Sequence, residues 1–300
     1  MRIRSGLNHT VLVWFTVISL SFSSFSFGAT KGIYLTQSTA ENTGKVEYFI
    51  KQAKAAGIDT FVIDLSRSGS RYAQNIAKVK KAGLKYVARI VIFPHGGTPD
   101  QVKNERYWAQ KYSLVEKAIL LGADRIQLDY IRYNTKQPAR AQNAQDVLEV
   151  IKYFKKRTDN HKVPLEIDVF GESSFKPSMH IGQDVRVFAP HIDVLNPMLY
   201  PSHFKPFEQH AGTPYKTVYK SLQAVKEQFK NKPPFKIHAY IELSNYHYKW
   251  SDEKRVGYIK EQLRAVRDAG IDGWYAWSAN NHYDLLFQVL REKEPVLARE

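Results

Sequence analysis

Two segments of the sequence place carboxylates where the packing of a strand would favour valine. The segment ADRIQLDYIRYN, residues 123–134, begins with alternating apolar residues, yet it carries Asp129 and then Arg132. A second strand-like segment, residues 164–170, carries Asp168 near its end. Two carboxyl groups that face one substrate can divide the work, because one donates a proton while the other attacks carbon or activates water. We therefore select Asp129 and Asp168 as candidate catalytic residues.

The surroundings of the two acids predict different roles for them. Asp129 lies close in sequence to Arg132, and a nearby cation favours the ionised carboxylate that a nucleophile needs. Asp168 precedes two apolar residues and shares a strand face with Glu166, so apolar neighbours and a like charge would both raise its pKa. We predict that Asp129 is the nucleophile or charge stabiliser and that Asp168 is the general acid/base.

Other predicted strand ends add acids, cations and aromatic rings. Glu172 and Glu242 are reserve candidates for the catalytic acid. The predicted substrate-binding residues are Asp64, Arg89, Arg132, Tyr200, His203, Tyr240, Trp277 and Asn280. Aromatic rings beside carboxylates suit sugars, which offer apolar C–H faces and many hydroxyl groups. The set favours cleavage of a glycosidic bond, which needs two carboxyl groups across that bond.

A repeated unit of helix, glycine and strand indicates how these residues are positioned. The unit occurs in KAAGIDTFVIDL (54–65), KKAGLKYVARIVIF (80–93), LLGADRIQLDYI (120–131) and RDAGIDGWYAW (267–277). Glycine suits the residue after a helix, where φ is positive, and an apolar strand follows each time. Such repetition predicts βα units and therefore a parallel sheet.

Completing the count predicts eight strands, each followed by a helix. The strands are predicted at 32–36, 60–65, 86–93, 125–131, 164–170, 194–200, 236–242 and 273–278. The helices are predicted at 44–56, 71–82, 113–121, 143–157, 181–189, 214–229, 252–269 and 283–292. This pattern predicts an α/β fold with a single (β/α)8 TIM barrel. The alternative is an open doubly wound sheet, which typically has a glycine-rich phosphate-binding loop after an early strand. The segment after the first predicted strand, within GIYLTQSTAENTG (32–44), contains no such loop.

The barrel separates the acids into two groups. Active sites of such barrels lie at the carboxyl ends of the strands. The acids predicted on that rim are Asp64, Asp129, Asp168 and Glu242. The aspartates in the links that enter strands are predicted to serve turn chemistry on the opposite rim, and they are Asp59, Asp124, Asp193 and Asp272.

The first residues have the layout of a secretory signal peptide. Two arginines precede an apolar run from Val11 to about Phe22, and small residues follow. The run is short for a membrane span, so an uncleaved anchor is the less favoured alternative. We predict a signal peptide over residues 1–29 and a barrel domain over residues 30–300. The chain would then be exported, to the periplasm or the extracellular space, with no integral span after cleavage.

The composition and motifs argue against several other kinds of site. The chain has no cysteine, which excludes a thiol nucleophile and disulfides. A formal net charge of +15 favours an acidic polymer or an anionic surface as a partner. The sequence shows no nucleic-acid recognition motif, no His-Glu-x-x-His metal motif and no Gly-x-Ser-x-Gly elbow. We predict no metal, no cofactor and no nucleic-acid partner, and the sequence leaves the oligomeric state open.

The chain also resembles a known family, the bacterial "putative glycosyl hydrolase domain" family of (β/α)8 glycosidases. The matching pieces are ARIVIF (88–93), IQLDYIRY (126–133), DVFG (168–171), IGQD (181–184), DVLNPMLYPSHF (193–204), PYKTV (214–218) and Trp277 with NNHYD (280–284). The resemblance implies signature positions at Asp129, Arg132, Asp168, Tyr200, Ser202 and His203. The chain departs from the family pattern in LSRSGS (65–70), at Asn134 and at Glu242.

Two functions follow from the sequence. The first is an exported glycoside hydrolase that cleaves a bacterial polysaccharide through two carboxylates, with an acidic polymer favoured by the positive charge. The second is a barrel that binds glycan without cutting it, in an envelope or polysaccharide-export assembly. The pair of acids at adjacent strand ends favours the enzyme, because a binding module has no need for them.

Overall fold

Eight parallel strands pair in the order β1 to β8, and β8 pairs with β1 to close a barrel. The computed structural model describes residues 28–67 and 69–292. The strands are β1 Thr30–Leu35, β2 Thr60–Asp64, β3 Lys85–Val91, β4 Arg125–Asp129, β5 Leu165–Phe170, β6 Val194–Met198, β7 Lys236–Glu242 and β8 Gly273–Trp277. The predicted (β/α)8 barrel is confirmed. The predicted signal peptide, residues 1–29, lies outside the described residues except for its last two.

Helices connect the strands and cover the barrel. They are α1 Gln37–Ala40, α2 Thr43–Ala55, α3 Ser70–Lys81, α4 Pro99–Val102, α5 Glu105–Leu120, α6 Ala141–Asn160, α7 Val185–Phe188, α8 Phe207–Gly212, α9 Pro214–Glu227, α10 Asp252–Ala269 and α11 Asp284–Arg291. Within the described residues, none of these helices combines the length and apolar character needed to cross a bilayer.

Two of the predicted helices differ in extent from the helices of the structure. The helix predicted at 181–189 is only the single turn of α7, which Asp184 caps and a 3-10 turn containing Pro190 follows. Proline lacks the N–H that would continue the helical hydrogen bonds. Helix α5 begins eight residues earlier than predicted, because the side chain of Asn104 caps it by accepting from Tyr107 N.

Strand alternation divides the side chains of the barrel between two environments. Ile126 and Leu128 on β4 face outward, in the large apolar core between the sheet and the helices. Gln127 and Asp129 alternate with them and face inward. The small interior apolar cluster contains Tyr34, Val62, Val87, Tyr200, Tyr240 and Tyr275. The alternation explains why a buried strand carries polar residues: they belong to the barrel interior.

The lower interior of the barrel is a polar network centred on Glu166. This carboxylate lies 2.5 Å from Arg125 Nε and accepts hydrogen bonds from Tyr275 Oη, Gln127 Nε2 and Asn196 Nδ2. Burial alone would raise the pKa of Glu166, but the Arg125 guanidinium, the His238 ring and the Asn196 amide hold it at about 2. Glu166 is therefore an ionised, acceptor-only group inside the barrel.

The four link aspartates form a repeated contact at the amino-terminal rim. Asp59, Asp124, Asp193 and Asp272 each accept from the backbone N–H of a neighbouring strand, at Lys31, Tyr86, Leu165 and Ile237 respectively. The distances run from 2.7 Å to 3.1 Å. Each aspartate precedes an even-numbered strand and accepts from a backbone N–H near the start of the odd-numbered strand before it. These residues hold the bottom of the barrel, away from the carboxyl ends of the strands.

Candidate active site

Arg89 lies at the centre of the acids on the upper rim. Its guanidinium donates from Nη1 to Asp64 and from Nη2 to Asp129, and its Nε lies 3.7 Å from Asp168 Oδ2. Tyr34 completes the cluster by donating to Asp64 Oδ2 at 2.5 Å. The acids come from strands β2, β4 and β5, so a single cation on β3 brings together carboxylates from three strand ends.

The strand register places Asp129 and Asp168 side by side. Ile126 pairs with Leu165 and Leu128 pairs with Ile167, and the same register continued by one residue sets Asp129 opposite Asp168. Neighbouring strands lie about 4.8 Å apart. Both side chains point into the barrel mouth, and both contact the same guanidinium. The two carboxyl groups are therefore direct neighbours over one cavity.

The two carboxyl groups have different electrostatic surroundings. Burial and the adjacent charge of Asp129 raise the pKa of Asp168 well above its usual range, although Arg89 and the amide of Asn196 act in the opposite direction. Asp129 accepts from its own neighbour, Tyr130 N, at 2.5 Å and from Arg89 Nη2, so both of its oxygens have donors. The site thus holds one carboxyl group whose pKa is raised beside another whose two oxygens both accept hydrogen bonds.

A left-handed residue after Asp129 turns the chain back toward the cavity. Tyr130 has φ +52, an uncommon conformation for a residue with a side chain. The turn also lets Arg132 N donate to Tyr130 O. Strand alternation alone would turn Arg132 away from Asp129, but this turn brings its side chain to the cavity wall. Its Cζ lies 5.2 Å from the Tyr130 ring and 5.1 Å from the Phe170 ring.

The cavity above the acids has a volume of about 480 Å³. Its floor contains Arg89, Asp129 and Asp168. One wall is aromatic, with the Tyr200 and Trp277 rings stacked at 5.4 Å and Tyr246 beside them. The polar wall, as we call it, consists of Arg132 and Thr135, which follow β4 and so lie across the barrel from Trp277 on β8, together with Ser178 and His180. An apolar face on one side and hydrogen-bonding groups on the other suit a sugar ring.

Nine of the twelve residues predicted for the site line this cavity. They are Arg89, Asp129, Arg132, Asp168, Glu172, Tyr200, His203, Tyr240 and Trp277. Asp64 lies one contact away, behind Arg89. Asn280 lines a second, smaller cavity, while its neighbour Asn281 joins the ends of β8 and β1 by donating to Tyr34 O at 3.2 Å.

Glu242 is turned away from the cavity. Its carboxylate accepts from Ser202 N at 2.7 Å, Ser202 Oγ at 2.9 Å and Tyr258 Oη at 2.5 Å. Burial raises the pKa of Glu242 to about 7, while these donors lower it less. The group anchors the loop after β6 and the first turns of α10. His203, the residue after Ser202, contacts the rings of Tyr200 and Tyr246 at the cavity mouth.

The structure adds four residues that the sequence argument did not select. Asn196 holds Asp168, Tyr34 holds Asp64, and Gln183 accepts from Phe170 N at 2.9 Å. Tyr246 is 70% exposed at the cavity mouth. Asn196 and Gln183 fall within the motifs DVLNPMLYPSHF and IGQD, so the family resemblance of those motifs could have indicated both residues. Among the described residues, no three His, Cys, Asp or Glu side chains are arranged to hold a metal ion.

The fold and site define a barrel with paired acids at its carboxyl-terminal mouth, the class to which (β/α)8 glycosidases belong. The chain belongs to the family described as "putative glycosyl hydrolase domain", whose model matches residues 99–283. The predicted family is confirmed, and with it the predicted enzyme class, a glycoside hydrolase. A comparison with curated proteins found no match to the sequence.

Solved structures of glycosidases share the fold. The spore cortex-lytic enzyme SleL of Bacillus cereus has 13% identity and a TM-score of 0.63, over 87% of this chain and 73% of that chain. A class V chitinase from Pseudomonas fluorescens has 12% identity and a TM-score of 0.62, over 88% and 99%. The endo-β-1,4-mannanase of Thermotoga petrophila has 14% identity and a TM-score of 0.61, over 88% and 75%. At these identities the likeness is one of fold.

Proposed function

We propose that the protein is an exported glycoside hydrolase that cleaves a polysaccharide by a two-carboxylate mechanism. The observation that carries the proposal is the pair Asp129 and Asp168, which lie side by side on adjacent strands beneath one cavity. Their surroundings differ in the sense that such a mechanism needs, because burial and the neighbouring charge raise the pKa of Asp168 while both oxygens of Asp129 accept hydrogen bonds.

In the proposed reaction Asp168 donates its proton to the glycosidic oxygen as the bond to the anomeric carbon breaks. Asp129 attacks that carbon, or stabilises the positive charge that develops on it. A water molecule then adds to the anomeric carbon, where it displaces the Asp129 carboxylate if a covalent bond has formed and otherwise adds to the stabilised cation, and Asp168 takes a proton from that water. Arg89 remains paired with Asp64 and Asp129, so it orients the nucleophile and limits the repulsion between the acids.

A polymeric glycan is the substrate that the cavity and charge favour. The aromatic wall offers stacking surfaces at Tyr200, Trp277 and Tyr246, and Phe175 is half exposed beyond the cavity rim. The net charge of +15 attracts an acidic polymer from a distance. Export is proposed from the basic, apolar and small-residue order of the first 29 residues. Intact-mass analysis of secreted protein tests it: we expect a chain that begins near Ala29 or Thr30.

The test of the activity is a screen of purified protein against bacterial polysaccharides for new reducing ends. On any polymer that is cleaved, Asp129→Asn should lose several orders of magnitude in turnover while the protein stays folded. Asp59→Asn is the matched control, since it makes the same substitution on the opposite rim and should leave turnover near normal. Near-normal turnover in Asp129→Asn would overturn the mechanism. Tight glycan binding without cleavage by the native protein would instead support the alternative, a glycan-binding barrel.

A further inference from the structure

Arg132 is a buried cation that has no carboxylate partner in the part of the chain that the structure describes. Its side chain lies in the cavity wall and the residue is only 8% exposed. Across residues 28–67 and 69–292, no carboxylate lies within ion-pair distance of its guanidinium. Burial lowers the pKa of Arg132, which reflects the cost of holding the charge there. Arginine nevertheless stays protonated at neutral pH, so the wall carries a positive charge.

The other two arginines of the barrel interior set the contrast. Arg89 meets three carboxylates, and Arg125 meets Glu166 at 2.5 Å. Buried charges in proteins are generally paired, because an unpaired one costs several kcal/mol. Arg132 departs from this rule in the wall of the cavity above the paired acids. Its partner is therefore expected to come with the ligand.

The protein fixes the Arg132 guanidinium while leaving part of its donor set unused. Nη1 donates to Tyr133 O at 2.8 Å, and Cζ lies 5.2 Å from the centroid of the Tyr130 ring and 5.1 Å from that of the Phe170 ring. Gly96 approaches so closely that a Cβ there would lie 2.5 Å from Arg132 Nη1. Nε and Nη2 have no acceptor among the described residues, and neither atom is enclosed. A planar, immobilised fork with free N–H groups is suited to bidentate binding of an oxyanion.

The rest of the polar wall is consistent with an anionic ligand. Tyr133 N donates to Ile181 O at 2.9 Å, which joins the Arg132 segment to the loop that carries Ser178 and His180. These side chains add hydrogen-bond donors to the lining of the same cavity. The negative charge of Asp129 is offset by Arg89, and the Glu172 carboxylate is solvent-exposed, so its repulsion is screened.

We propose that Arg132 is a specificity-determining residue that binds the carboxylate of a uronic acid unit in the glycan. The proposal rests on the proposed function only in taking a glycan as the ligand. It deepens that function by assigning the acidic group of the substrate to one subsite, on the polar wall opposite Trp277. Sulfate or phosphate esters share the oxyanion chemistry and form separate arms of the test.

The experiment compares binding of matched acidic and neutral glycans by the full-length exported protein. The probes are oligosaccharides of galacturonate, glucuronate-containing hyaluronan and mannuronate, each beside its carboxyl-reduced counterpart, with a sulfated galactan fragment as the ester arm. Dissociation constants are measured by isothermal calorimetry at fixed ionic strength, and NMR follows the Arg132 Nε–H resonance. We expect at least one acidic probe to bind about tenfold to a hundredfold more tightly than its reduced form.

Two variants separate the local contact from the overall charge. Arg132→Gln should abolish the preference for the acidic probe and leave binding of the reduced probe within about threefold. Arg264→Gln removes the same charge from an arginine that also stacks on a tyrosine, Tyr215 at 4.2 Å, but lies on the exposed face of α10. Arg264→Gln should therefore keep the preference for the acidic probe. Arg132→Lys keeps the charge but lacks the planar guanidinium, so it should retain only part of that preference.

Several outcomes would overturn the inference. One is a native protein that binds no acidic probe more tightly than its reduced form. Another is an Arg132→Gln variant that stays folded and still prefers the acidic probe to its reduced form. A preference for the sulfated probe alone would show that Arg132 binds a sulfate ester and not a uronate. Binding without cleavage would leave the inference intact while removing the proposed hydrolase activity. If the protein cleaves only neutral glycans and Arg132→Gln does not change that cleavage, the hydrolase activity would stand and the inference about Arg132 would fail.

Discussion

Asn196 Nδ2 lies 3.2 Å from Asp168 Oδ1 and donates a hydrogen bond to it. The same amide nitrogen lies 2.9 Å from Glu166 Oε2. Because Glu166 is ionised and can only accept, it fixes which end of the Asn196 amide faces the two acids. Oδ1 of Asp168 is therefore an acceptor, and Oδ2 is the oxygen on the Arg89 side, 3.7 Å from Nε.

Replacing Asn196 should change the pH dependence of the reaction. The Asn196 hydrogen bond lowers the pKa of Asp168, so Asn196→Ala should move the alkaline limb of the kcat/KM profile to higher pH and reduce kcat about tenfold or more. Asn75→Ala is the control, since it removes another buried asparagine that donates to a backbone carbonyl far from the cavity. An unshifted profile in a folded Asn196→Ala enzyme would contradict this role.

Replacing Asp168 should affect substrates according to their leaving groups. Asp168→Asn removes the proton donor, and the loss of turnover should be largest on natural polymers and smallest on aryl glycosides, which need little protonation. Asp64→Asn changes another carboxylate beside Arg89 and should affect both substrate types equally. Rate ratios between the two substrate types provide the measurement. Equal losses in Asp168→Asn would move the acid role to Glu172, the exposed carboxylate at the cavity.

The spacing of the two acids predicts retention of anomeric configuration. Carboxyl groups about 5–5.5 Å apart act as nucleophile and acid in retaining enzymes, while about 6.5–9.5 Å leaves room for an attacking water. Asp129 and Asp168 lie on adjacent strands in register, which favours the shorter separation. Proton NMR of the first products gives the configuration directly. Inversion would mean that Asp129 activates water rather than attacking carbon.

The sequence predicted the barrel well because its signals are local and repeated. Each helix–glycine–strand unit is visible in isolation, and the alternation of Ile126 and Leu128 with Gln127 and Asp129 follows from strand geometry alone. The short helices α1, α4 and α8 were missed because four to six residues carry too little periodicity. The helix at 181–189 was predicted too long because the apolar pattern takes no account of the helix-ending effect of Pro190.

The site was predicted less completely because its decisive contacts are not local. Nothing near Arg89 in the chain indicates that it meets acids from three other elements. The direction of Glu242, toward Ser202 and Tyr258, depends on packing between β7, the loop after β6 and α10. Arg132 reaches the cavity only because Tyr130 adopts a left-handed conformation, which a propensity argument would not expect of tyrosine.

The link aspartates should matter for stability and not for turnover. Asp193 accepts from Leu165 N at 2.7 Å and pairs with Lys155 at 3.0 Å, so Asp193→Ala leaves a backbone donor without its partner. We expect a loss of about 1–3 kcal/mol in the free energy of unfolding, measured in urea, with kcat within about twofold of normal. Asp184→Ala is the control, because it removes an aspartate that caps α7 near the cavity end of the barrel. It tests whether the loss of any aspartate with a backbone hydrogen bond changes stability and kcat in the same way as Asp193→Ala. A large drop in kcat for Asp193→Ala at full stability would contradict the division of roles between the two rims.

Glu242 should make the folded protein less stable as the pH rises from about 4.5 to about 7. Its pKa is about 7 in the folded chain against a usual value of 4.5, so the folded state holds a proton that the unfolded state has lost. The associated stability is fully present below about pH 4.5 and is lost as the pH rises to about 7, by roughly 3 kcal/mol. Glu242→Gln mimics the protonated acid and should flatten this part of the curve. Glu172→Gln, an exposed acid on the same side of the barrel, is the control and should leave the curve unchanged. Urea denaturation between pH 4.5 and pH 8 gives the comparison, and an equal slope in native protein and Glu242→Gln would show that this carboxyl is ionised throughout the range.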